Sequence, residues 1–177
     1  ARLGLAHECE NVGYPIVVAR MALQSYTWTR HLIHGEIATQ GILAHRGIVA
    51  GCFAATSLLK VKMICAIDRY LAIPMEIQPD LQIYIDDFHL SLGGEPSKLI
   101  SVATKAIKEL EQTIQVELDL PLSIEKGIIV GTTARLVKEI KAHIGTEAGR
   151  IVYTASNLGI DFTAGKAYGV NGRSAMG

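Results

Sequence analysis

The segment LQIYIDDFHLSL, residues 81–92, restricts the fold more than any other part of the chain. Leu81, Ile83 and Ile85 alternate with Gln82, Tyr84 and Asp86, and Phe88, Leu90 and Leu92 alternate with His89 and Ser91. A period of two belongs to an extended strand with one face toward a core and one toward water. The two runs meet at Asp86 and Asp87, so the segment predicts a hairpin with an apolar face, a polar face and paired carboxylates at its turn. Adjacent like charges repel, and a two-residue turn favours Asn-Gly or Asp-Gly. A divalent cation would relieve the repulsion, since Mg²⁺ takes one or two protein carboxylates and completes its shell with phosphate oxygens and water. The competing reading is a solvated acidic turn that binds nothing.

Other elements are readable on either side. GYPIVVARMALQSYTWTRHLIHG, residues 13–35, predicts a helix ended by Gly35, and EIATQGILAHRG two short strands broken at Gly41. The apolar run after Gly47 predicts a mostly buried helix that stops before Pro74. A helix starting at Pro96 or Ser97 turns Leu99, Val102, Ala103, Ala106, Ile107, Leu110 and Ile114 to one side. A strand is predicted from Ser123 to Val130, then a basic helix closed by Gly145, then two short strands with glycine turns. This order implies an α+β fold: an antiparallel or mixed sheet with helices packed on one face and the other face free.

At 177 residues the chain suits a single domain, and 49% apolar with 19% charged residues, acids and bases equal at 17 each, argues against disorder and against a strongly basic nucleic-acid binder. The uncharged run Gly47 to Leu59 is too short to span a bilayer, so no membrane association is expected. Cys9, Cys52 and Cys65 are odd in number and lack C-x-x-C spacing, which suits a reducing, intracellular setting, nucleus or cytoplasm. The start ARLGLAHECE, without Met, reads as an excerpt from something longer. His31 and His34 stand three apart on the first predicted helix but lack a third ligand, and His7 with Cys9 makes at most half a zinc site. Arg135, Lys138, Lys141 and His143 read as a solvated basic helix side.

YIDD at Tyr84 to Asp87 resembles the Y-x-D-D box of reverse transcriptases, and the surrounding segments follow that family's order. RGIVAGC, from Arg46 to Cys52, sits where these polymerases carry a Gln-Gly-x-Pro-x-Ser-Pro type segment leading into a helix. LPLSIEKGIIV resembles their lysine-bearing strand, and NLGIDFTAGK the Leu-Gly hairpin that grips the primer end. The similarity runs from about Gly13 to Lys166 and is closest to the reverse transcriptases of non-LTR retroelements. It implies a polymerase palm: residues 1–177 as one partial reverse transcriptase domain, with the primer-grip region starting near 150–166. It further implies nucleotidyl transfer from dNTPs to a primer 3′ end on an RNA or DNA template, with Mg²⁺ or Mn²⁺ as cofactor and the rest of a larger polyprotein as partner. By resemblance, Asp86 is a metal ligand and Asp87 either a second metal ligand or an electrostatic supporter, Lys126 faces the pyrophosphate as general acid, Tyr84 lies near the primer terminus, Gly47 lets the backbone approach the nucleotide, and Leu158 and Gly159 shape the primer grip.

The departures are specific. These polymerases carry a third carboxylate on an earlier strand, whereas Glu8 and Glu10 are the only acids before Gly13. Arg46 replaces the usual Gln, and Gly51 and Cys52 replace Ser and Pro. The expectation is a palm portion inactive on its own, with a non-catalytic retroelement remnant or palm-fold nucleic-acid-binding module as the alternative, and another palm-type nucleotidyl transferase or cyclase behind both.

Overall fold

The computed structural model describes residues 2–43, 52–145, 149–152, 154–157 and 160–163. Internal contacts divide the chain into two units, residues 1–69 with 83–87, and residues 70–82 with 88–177.

The first unit is built on three helices: α1 (Arg2–Asn11), α2 (Ile16–Ser25) and α3 (Ala55–Leu71), whose last turn enters the second unit. Their shared core contains Leu5, Cys9, Ala19, Ala22, Tyr26, Ala54, Leu58 and Val61. The alanines let backbones approach while Leu58 and Tyr26, both fully buried, fill the space between. Lys62 Nζ meets Glu8 Oε1 at 3.1 Å and ties α3 to α1. α1 was not foreseen, because RLGLAHECEN has no sustained apolar stripe.

α2 stops at Ser25, well short of Gly35. Past it, the Ser25 hydroxyl donates to the Ala22 carbonyl and the Thr27 hydroxyl to that of Gln24, both at 2.7 Å, so side chains occupy carbonyls at the helix end. Gly35, at φ +60°, instead turns a ribbon of β1 (Ile33–His34) and β2 (Ile37–Ala38), with Ile33 opposite Ala38 and His34 opposite Ile37. His31 and His34 are therefore on no helix. His31 Nδ1 pairs with the Thr39 carbonyl at 2.9 Å.

In the second unit α4 (Pro96–Glu111) and α5 (Ala134–Ile144) pack through Leu99 and Ala103 against Leu136 and Ile140, flanked by Ile77, Leu92, Ile100 and Ile144. Both starts follow from the sequence. Pro96 occupies the first turn of α4, and the Thr133 hydroxyl accepts the Leu136 N–H at 3.3 Å to cap α5. Gly145, at φ +100°, closes α5 as expected. α4 runs on as a π-helical segment, Gln112–Glu117, that buries Thr113 and Ile114.

The strand predicted from Ser123 to Val130 is mostly replaced. Ile124–Lys126 form one 3₁₀ turn and only Ile128–Ile129 (β5) are extended, paired in parallel with β6 (Arg150–Ile151). β7 (Thr154–Asn157) and β8 (Ile160–Thr163) form an antiparallel hairpin. The mixed α+β class holds. Among the described residues, however, the strands make four separate two-stranded sheets rather than one layer. Several are two residues long, too short to recruit further neighbours. No helix among the described residues is long and apolar enough to cross a membrane.

Candidate functional site: an acidic hairpin tip

The opening segment forms the hairpin its alternation predicts: β3 (Asp80–Tyr84) and β4 (Asp87–Ser91) pair in one sheet, joined by Ile85 and Asp86. A two-residue connection requires antiparallel strands and sets Tyr84 opposite Asp87. Residues directly opposite share a face, so the polar face carries Asp80, Gln82 and Tyr84 from β3 with Asp87, His89 and Ser91 from β4. Leu81, Ile83, Phe88 and Leu90 are half-buried.

The turn changes which acid stands beside Tyr84. Unbroken alternation would put Asp86 on its face. The two-residue turn interrupts the period, leaving Asp86 in the bend and bringing Asp87 across from the phenol. Both carboxylates are exposed, as is Tyr84 at 56%. The tip thus offers two hard oxygen donors open to water, a donor set that suits Mg²⁺ or Mn²⁺ shared with phosphate oxygens.

Ile85 has φ +58°, a conformation that β-branched residues rarely adopt. Strain of this kind costs roughly 1–3 kcal/mol and persists only where surrounding structure imposes it. A second feature stands at the open end of the ribbon. Asp80 Oδ2 accepts from Gln82 Nε2 at 3.0 Å and from Ser91 Oγ at 3.3 Å, linking the first residue of β3 to the last of β4. Sequence reasoning passed over both. The parity of residues 80, 82 and 84 was the available signal for Asp80; nothing in the sequence marks Ile85.

Of the residues singled out, Tyr84, Asp86 and Asp87 are brought together at the tip. Lys126 is exposed, in the 3₁₀ turn rather than on a strand, where its N–H donates to Ser123 O at 3.0 Å, and it belongs to the second unit. Gly47, Leu158 and Gly159 lie outside the described residues. Three of the four basic residues of α5 have local partners: Arg135 pairs with Glu139, Lys141 Nζ donates to Gly149 O, and His143 Nδ1 pairs with Glu139 O. Among the described residues no three or more His, Cys, Asp or Glu side chains converge as a metal cluster. Comparison with family models, curated proteins and solved structures found no match.

Proposed function

We propose that this chain is the palm portion of an RNA-directed DNA polymerase of the non-LTR retroelement type, carrying out nucleotidyl transfer from dNTPs to a primer 3′ end as part of a longer polypeptide. The observation that supports it most is the exposed two-residue hairpin tip carrying Tyr84, Asp86 and Asp87, followed by α4, Lys126, α5 and the β7–β8 hairpin in the order the resemblance implies. Asp86 and Asp87 would hold Mg²⁺ or Mn²⁺, which when bound polarises a phosphoryl group and favours ionisation of the attacking hydroxyl. Tyr84, across from Asp87, would line the path of the primer terminus, and Lys126 would give a proton to the leaving pyrophosphate. Gly47 would lie beside the nucleotide, with Leu158 and Gly159 at the primer.

A second reading is a non-catalytic remnant or nucleic-acid-binding module that keeps the same tip. What favours it is that the only acids before Gly13, Glu8 and Glu10, stand on the helix α1 rather than on the strand that would carry a third carboxylate, and that Glu8 is engaged with Lys62. Primer extension separates the two. The chain joined to the segment encoded immediately upstream should extend a primer with Mg²⁺ or Mn²⁺, and Asp86→Asn should lower the rate by on the order of a hundredfold or more. Activity no greater than that of the Asp86→Asn variant would leave only the binding reading.

A further inference from the structure

We infer that Asp80 is a positioning residue for the acidic tip, fixing the register of the β3–β4 hairpin from its open end because the turn does not. Hairpin register is ordinarily set by turn residues whose backbone preferences match the loop. Here the loop is Ile85-Asp86, with Ile85 at φ +58°, so the turn opposes the geometry it adopts. A slip of one residue would move Asp87 off the face of Tyr84 and exchange the apolar and polar faces. Two features oppose the slip. One is the half-buried row Leu81, Ile83, Phe88 and Leu90. The other is Asp80, whose single oxygen Oδ2 takes both the Ser91 hydroxyl from the opposite strand and the Gln82 amide from its own. The cross-strand bond forms only when residue 80 faces residue 91, the register that also sets Tyr84 opposite Asp87.

The inference rests on the palm reading only for what the tip is used for, so its test separates the two. In the full chain, NMR should show a cross-strand Hα–Hα contact between Leu81 and Leu90 and slow exchange of the Asp87 amide, which closes the two-residue loop. Asp80→Ala should speed exchange at Asp87 by on the order of tenfold while leaving α4 amides unchanged. Added Mn²⁺ should broaden residues 84–87, and Asp80→Ala should weaken that binding by a similar factor. Asp80→Asn, which keeps an acceptor oxygen, should restore most of both. So should Ile85→Gly placed in the Asp80→Ala background, because it removes the opposing strain; a merely stabilising role for Asp80 would instead speed exchange in α4 as well. Wild-type exchange at Asp87 in Asp80→Ala, or no rescue by Ile85→Gly, overturns the inference. Absence of Mn²⁺ broadening in the wild type counts against the palm reading, and the exchange rates still decide the role of Asp80.

Discussion

Tyr70 is buried where α3 enters the second unit, and its hydroxyl donates to the Ala106 carbonyl of α4 at 3.2 Å. Burial first, and the Glu109 carboxylate second, push its pKa up to about 12 from an ordinary value of 10. The sign follows from linkage. Between pH 10 and 12 the unfolded chain has already lost this proton while the folded chain retains it, so the unfolded state binds fewer protons and stability falls as pH rises. The contribution, on the order of 2 kcal/mol, is fully present below pH 10 and gone above 12. Urea titrations of the wild type should therefore lose midpoint steeply across that window, and Tyr70→Phe should flatten the profile. The same reasoning makes Cys9 a poor nucleophile, since burial and then Glu8 and Glu10 raise its thiol pKa. Residues such as these were the least legible in the sequence. Nothing in DRYLAI marks Tyr70 as buried and hydrogen-bonded to a helix thirty-six positions on.

Elements were legible where a local rule and the tertiary contacts agree. The β3–β4 strands, α4 and the end of α5 fall where alternation, Pro96 and Gly145 predict, and along these elements the backbone rule and the buried face point the same way, the Ile85-Asp86 turn excepted. They were illegible where the two conflict. The apolar residues from Tyr26 to Ile33 satisfy a helical period, yet Ser25 and Thr27 turn the chain out of α2, and Leu32 and Ile33 become exposed ribbon residues. The Lys126 segment read as a strand from its apolar content but folds into a 3₁₀ turn, a short element without a distinctive period. For the candidate site the tip itself was readable, while which acid faces Tyr84 depended on a turn length that alternation does not specify. Close approach of β5 and β6 gives an element-scale test. A Cβ at Gly149, whose φ is +72°, would collide with the Gly127 carbonyl, and Arg150 N–H donates to that same oxygen at 2.9 Å. Gly149→Ala should cost about 2 kcal/mol, read as a lower urea midpoint, and should loosen β5–β6 while α4 and α5 keep their helical signal. An unchanged midpoint would mean the two strands can separate without penalty.

At the scale of the molecule the division into two units predicts unfolding that is not a single step. Trp28, the only tryptophan, sits in the first unit, and α4 and α5 in the second. Tryptophan fluorescence follows the first unit, while helical circular dichroism draws on α1–α3 as well as α4 and α5, so the dichroism curve should carry a component with a different urea midpoint, whereas coincident curves would show one cooperative transition. The hydrophobic surface is also unevenly divided. Of the fifteen large apolar residues exposed among those described, twelve fall in the first unit, including Ile33, Ile37 and Phe53 at 74% each. A unit with this many oily side chains open to water is surface-active in its own right. At an air–water or detergent boundary that unit should adsorb, so dilute solutions will lose protein to vessel walls and bubbles.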